Sequence, residues 1–196
     1  MIIYDLECCN SPVYNKRRSN YIYAKNWNDY QGMGIAVVSV YNYETDKLLS
    51  FYDKDIKKPI QLQRLIKGSG IVSGFNIKKY DNPMLRAHKI EINDSQCYDI
   101  LEQLWFASGL TGNYDYKTHG GYSLDKVLAA NFEDKQKLMS GADAPFLWQD
   151  GYYHKVIEYC ESDVMLEKAL LDKIFETGGL INPRTGKFVR MAIPHE

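Results

Sequence analysis

Apolar residues dominate the first nine positions, Met1-Ile2-Ile3-Tyr4-Asp5-Leu6-Glu7-Cys8-Cys9, and two acids interrupt them at alternate places. The run predicts a buried strand beginning at residue 2. Strand side chains point to opposite faces in turn, so Asp5 and Glu7 would project side by side. Residues 10 to 32, rich in Asn, Tyr, Lys and Arg, show no periodicity and read as an extended connection. A β-branched run over 33 to 43 predicts a second strand, Glu44-Thr45-Asp46-Lys47 a turn, and 48 to 52 the returning strand of a hairpin beside the first. Ile60, Leu62, Leu65 and Ile66 recur at helical spacing and predict a helix over 59 to 67. Residues 70 to 75 fit a short buried strand, and Asn82-Pro83 opens another helix with Pro at its first position. A further strand fits 96 to 100. Helical patterns follow over 101 to 107, 123 to 130 and 151 to 176, the last ended by Gly178-Gly179. The stretch after Leu180 reads as irregular.

A hairpin followed by strand-helix units predicts an α/β fold: a mixed sheet of about five strands with helices on both faces. The 196 residues suit one domain, 1 to 196, and 45% hydrophobic with 25% charged residues describes an ordinary globule. A formal net charge of -1 excludes coating nucleic acid through bulk positive charge and leaves room for a local basic channel. No apolar run approaches the ~20 residues of a membrane span, and a strand containing Asp5 does not resemble a signal peptide. A cytoplasmic protein with no membrane partner is expected. Cys8, Cys9, Cys97 and Cys160 lack paired C-x-x-C spacing, and no combination with His88, His119 or His154 has the usual zinc-ligand spacing. All four are expected to be reduced, and zinc is set aside.

Candidate chemistry changes the picture. Two adjacent carboxylates repel each other and lose hydration at a partly buried sheet end unless a cation neutralises them, so Asp5-Leu6-Glu7 predicts a metal site. A second acid lies where the 70 to 75 strand gives way to a loop and helix, in Asn76-Ile77-Lys78-Lys79-Tyr80-Asp81-Asn82-Pro83. Such strand ends gather over the sheet edge, where α/β proteins place ligands. Another acid, Asp163, sits in the long last helix, with Tyr159 one turn before it on the same face. A Tyr-x-x-x-Asp pair alone is weak, because this composition gives about one by chance. The conjunction in this order, on a compatible fold, is the stronger signal.

That conjunction resembles the DEDD superfamily of 3′-to-5′ exonucleases in its tyrosine-bearing branch, a family with a ribonuclease H-like fold. The likeness spans nearly the whole chain and is closest to the proofreading exonuclease domain of B-family DNA polymerases. Asn76 stands five residues before Asp81, Tyr80 just before it and Pro83 just after it. Ser123-Leu124-Asp125-Lys126-Val127 matches that group's S/T-L-x-x-hydrophobic motif. The histidine branch would need His five residues before Asp163; Glu158 stands there, and His154 is nine before. The resemblance implies that Asp5, Glu7, Asp81 and Asp163 hold two divalent ions and that Tyr159 orients the attacking water. It implies that Asn76, Tyr80, Ser123 and Leu124 meet the 3′ end of a single strand, with Leu6 placed to wedge against the last base. An all-oxygen set without His or Cys suits Mg²⁺ or Mn²⁺. Two such ions about 3.5–4 Å apart activate a water and stabilise the departing 3′ oxygen, giving a nucleoside 5′-monophosphate. A phenol with pKa of about 10 stays protonated at neutral pH and holds the water by hydrogen bonding.

Blander readings stand beside these. Asp5 and Glu7 fit a solvated strand end, Asp81 a turn or cap, and Asp163 an exposed acid paired with Lys168 or Arg190. Tyr80 and Leu124 fit core positions. Residues 14 to 30 interleave Tyr14, Lys16, Arg17, Arg18, Tyr21, Tyr23, Lys25, Trp27 and Tyr30, as a single-strand groove would, and equally fit a surface loop packed on the sheet. Lys135 and Lys137 read as a solvated face. For function, an exonuclease on single-stranded DNA, free-standing or beside a polymerase or repair partner, competes with an RNA-directed enzyme of the same branch and with a non-catalytic nucleic-acid-binding module. Oligomeric state stays open.

Overall fold

In the computed structural model, which describes residues 1–194, Ile2–Cys8 (β1) is the middle strand of a five-stranded mixed sheet. An excursion with one 3-10 turn at Lys16–Arg18 and a short helix, α1 (Tyr30–Met33), leads to β2 (Ile35–Asn42), which turns back as β3 (Lys47–Tyr52). Helices α2 (Lys54–Lys57) and α3 (Ile60–Gly68) precede β4 (Val72–Gly74), and α4 (Asp81–Ala87) precedes β5 (Cys97–Asp99). Then come α5 (Ile100–Ala107), α6 (Tyr116–His119), α7 (Leu124–Asn131), α8 (Ala144–Gln149) and the long α9 (Tyr153–Thr177). A hairpin, β6 (Gly179–Ile181) with β7 (Phe188–Arg190), closes the series.

Strand order is β3-β2-β1-β4-β5, with β1 antiparallel to β2 and parallel to β4. Alternation along β1 divides its side chains between two cores. Ile2, Tyr4, Leu6 and Cys8 join Leu62 and Ile66 of α3 and Met84 and Leu85 of α4. Ile3 faces the other way, toward the cluster holding Leu104 of α5, Val127 of α7 and Leu170 of α9. Burying each such side chain stabilises the fold by roughly 1.5–3 kcal/mol. The apolar positions therefore hold β1 in place although it carries two acids.

Several boundaries differ from the sequence reading for local reasons. The second strand starts at Ile35 because Met33 closes α1 and Gly34 takes φ 64, a left-handed value that favours glycine. α4 starts at Asp81, so Pro83 is its third residue; its missing N–H still falls among those with no intrahelical acceptor. The stretch after Leu180 is a hairpin, whose three-residue strands are too short to show alternation. No helix among the described residues is long and apolar enough to cross a membrane.

The sheet leaves one place open. Pairing of β1 with β4 covers only Ile2↔Val72 and Ile3↔Ser73. At Gly74 an added Cβ would lie 2.6 Å from the Tyr4 carbonyl oxygen, so the chain turns away where a side chain would not fit. Beyond Tyr4, β1 has no strand on that side, and its register with β2 shifts between Glu7 and Cys8. Bulges of this kind re-aim side chains beside sites.

Candidate metal centre

Asp5 and Glu7 leave the same face of β1, and α9 brings Asp163 to them; one carboxylate oxygen from each lies within 4.8 Å of the others. Cys160, three residues before Asp163, fixes the helix against the strand, its Sγ 3.4 Å from the Asp5 carbonyl oxygen and 3.7 Å from Asp5 Oδ2. Asp81 is outside this triad, at the first residue of α4. It is buried, and among the described residues its Oδ1 has no hydrogen-bond partner; the same holds for Asp163 Oδ1. The next residue anchors it. Tyr4 Oη donates to Asn82 Oδ1 (2.5 Å), and Asn82 Nδ2 donates to Asp94 Oδ1 (2.6 Å).

Burial governs the protonation of every acid here. Burial, then the charge of Asp163, pushes the Asp5 carboxyl up to about 7. Glu7 is raised well above the usual carboxylate range by burial and by Asp5 and Asp163. Asp81 is raised likewise by burial, Asp5 and Asp99, with its own and the Leu6 backbone N–H groups opposing. Asp163 is raised by burial, although Lys137 pulls it back. Four carboxyls under this strain favour a cation among them.

The structure supplies one from the protein itself. Lys137 Nζ lies 2.6 Å from Asp163 Oδ2 and 5.0 Å from the centroid of the Tyr159 ring, on a side chain only 19% exposed. The expected solvated face is thus corrected at Lys137, whose ammonium is drawn in by charge. Burial alone would ease its deprotonation, but the acids, Asp163 first, outweigh that and keep it charged. Lys168, offered by the blander reading as the partner of Asp163, instead pairs with Asp172.

Tyr159 is buried beside this pair, its hydroxyl without a hydrogen-bond partner. Burial and the charges of Glu7 and Asp163 push its pKa up, so it remains a phenol. Gly141 backs it: a Cβ there would sit 3.4 Å from the hydroxyl oxygen.

Sequence reasoning missed Glu167. It is buried one turn beyond Asp163, its Oε2 accepts from Phe75 N–H (3.2 Å), and burial with the charges of Asp5, Asp81 and Asp163 raises its pKa well above normal. The available signal was spacing: Tyr159, Asp163 and Glu167 form one helical stripe. Asp99, also buried, has a structural task. It caps α5 through Leu101 N–H (3.0 Å) and Glu102 N–H (3.2 Å), and it accepts from Asn76 N–H (2.9 Å) and Lys78 N–H (3.0 Å), pinning the loop before Asp81.

Residues expected to meet a nucleic acid divide into two groups. Asn76 and Ser123 line one cavity of about 400 Å³. Leu6 and Leu124 are turned into the two cores, Leu6 because strand alternation puts it on the face opposite its flanking acids. Tyr80 packs at the rim of the first core, its hydroxyl 3.7 Å from Cys8 Sγ and from Met33 Sδ. All four cysteines are free thiols, and among the described residues no histidine joins the acid cluster.

No protein-family model matches the chain, and no curated protein matches its sequence. Its structure is similar to that of the family B DNA polymerase from the hyperthermophilic archaeon Pyrobaculum calidifontis, with TM-score 0.53 and 14% identity over 89% of this chain and 24% of that one. At this identity the likeness concerns the fold. The chain spans about a quarter of the length of the polymerase chain it matches.

Proposed function

We propose that the chain is a metal-dependent 3′-to-5′ exonuclease of the tyrosine-bearing DEDD type on a ribonuclease H-like fold. It acts on single-stranded nucleic acid, DNA foremost, and releases nucleoside 5′-monophosphates. The observation that carries this reading is the convergence of half-buried Asp5 with buried Glu7 and Asp163, carboxyls from two distant elements, beside a buried phenol with no partner among the described residues. Likeness in fold to a family B DNA polymerase supports it.

The donor set fits divalent ions. It is all carboxylate, two of its buried oxygens lack partners, and a lysine ammonium already stands against Asp163. Asp5, Glu7 and Asp163 would hold one Mg²⁺ or Mn²⁺, and Asp5 with Asp81 a second. Bound there, the ions supply an acidified water and charge stabilisation for the departing 3′ oxygen. Tyr159, kept protonated, donates its free hydroxyl proton in a hydrogen bond that orients the water. Cys160 and the Asn82 anchor hold the ligands in register. With an ion in place of its ammonium at Asp163, Lys137 would be free to offer its charge to the scissile phosphate.

The test is a purified chain with Mg²⁺ or Mn²⁺ and matched 5′-labelled DNA and RNA oligonucleotides. Shortening from the 3′ end, lost in Asp5→Ala, is the expected result. A wild-type chain inert on both substrates with both metals would remove the proposal; preference for RNA would change only the substrate.

A further inference from the structure

A groove outside the acid cluster has the chemistry of a strand-binding track. The cavity lined by Asn76 and Ser123 shares Tyr114, Gly120 and Gly121 with a second cavity of about 670 Å³, so the two adjoin and together make a groove. Two residues of the first cavity lie on segments that also serve the metal centre. Asn76 belongs to the loop that ends at Asp81. Ser123 caps α7, whose Asp125 raises the pKa of Asp163.

The second cavity is lined by Tyr114, Tyr116, Lys117, Lys126, Pro183 and Arg184, with the shared glycines. Tyr116 is 80% exposed and Tyr114 58%. Tyr114 is steadied from below, tilted on His119 at 5.8 Å and Trp105 at 6.3 Å between centroids. His119 is itself buried and held by the Thr111 carbonyl at 2.9 Å. Arg184 donates to the Thr118 carbonyl, which fixes one cation at the rim. Among the described residues, Lys117 and Lys126 have no acid within ion-pair distance. Of the nearby acids, Asp115 accepts Lys117 N–H as the cap of α6, and Asp125 lines a different cavity. Free cations beside exposed, braced rings suit phosphates and stacked bases in alternation.

The basic segment at 14 to 30 is more heavily engaged within the protein. Arg18 lies 4.3 Å from the centroid of the Phe146 ring and pairs with Asp143 at 3.1 Å, Tyr21 donates to Asp150, and Tyr14 packs edge-on against Tyr23.

We infer that the groove from Asn76 and Ser123 across Tyr114 to Tyr116, Lys117, Lys126 and Arg184 binds the nucleotides upstream of the 3′ end, holding single-stranded nucleic acid as it feeds the acid cluster. This rests on the exonuclease reading. Its own content is where the strand runs and that longer strands bind more tightly.

The experiment measures binding of the full chain to 5′-labelled oligothymidylates of about 4 and about 12 nucleotides in EDTA, where no cutting occurs, across a salt series. The longer strand should bind more tightly to wild type. Lys117→Ala/Lys126→Ala should erase that gain and lower the salt slope by about 1.4, since each phosphate contact on a single strand contributes about 0.7. Tyr116→Ala should weaken the longer strand roughly fivefold or more. All three side chains are exposed, so folding is spared. Lys47→Ala/Lys58→Ala removes equal charge from residues that line neither cavity and should leave the slope unchanged. A wild type that cuts and binds but shows no length gain, or a double variant at 117 and 126 that keeps its slope, overturns this inference alone. A wild type that neither binds nor cuts overturns the exonuclease reading and this inference with it.

Discussion

At the scale of single residues, the decisive pair is Lys137 with Asp163. Breaking a buried ion pair leaves an uncompensated charge, so Lys137→Ala should destabilise the metal-free protein by about 3 kcal/mol in chemical denaturation. The same change removes a competitor for Asp163, so calorimetric titration should show tighter Mn²⁺ binding than wild type. Tyr159→Phe separates orientation from ligation: kcat should fall about 10²-fold while metal binding is kept, and an unchanged rate would strip Tyr159 of its role. Asp5 makes the metal response pH-dependent. Its carboxyl is raised to about 7 in the fold, against about 3.9 in an unfolded chain. The folded metal-free state thus keeps a proton that the unfolded state has released. Stability linked to Asp5 is complete below about pH 4 and is lost as pH rises through about 7. Ions need the carboxylate, so the rise in Tm on adding Mg²⁺ should be larger at about pH 8 than at about pH 5. Asp5 and Glu7 were legible because acids two apart in an apolar strand have no ordinary reason to be there. Lys137 was not, because the segment carrying it has no periodicity to say which way it faces.

At the scale of elements, the site depends on how β4 hands the chain to α4. Gly74 lets the strand end against Tyr4, Asp99 gathers the loop amides, and Asn82 ties the start of α4 to Tyr4 and Asp94. Asn82→Ala leaves the buried Tyr4 hydroxyl without an acceptor and should cost about 1–3 kcal/mol of stability. Because Asp81 is adjacent, activity should fall further than unfolding explains, measured well below Tm; proportionate losses would make the anchor purely structural. The long α9 was legible from sustained period and from the Gly178-Gly179 pair that ends it, and β2 and β3 from their apolar runs either side of a turn. Short helices such as α6 and α8 were not, since one turn of periodicity cannot be told from chance. Their absence from the sequence reading also hid the groove wall, where α6 presents Tyr116 and Lys117.

At the scale of the whole molecule, a mixed sheet of about five strands could be read from the order of hairpin and strand-helix units; the structure puts β1 at its centre. Sequence order left unstated which strands stop early, and that is what opens the site. The central place of β1 also bears on how the molecule is made. Cys160 touches Asp5 across a separation of 155 positions, and β1 must receive β2, β4 and α9 before its acids have company. Contacts this distant in sequence close slowly. During synthesis, Asp5 and Glu7 are made well before Asp163 and wait for it. A nascent or prematurely released chain lacking α9 keeps Asp5, Glu7 and Asp81 but not Asp163. On the exonuclease reading, any capacity to cut would mature with folding and be withheld from fragments lacking α9.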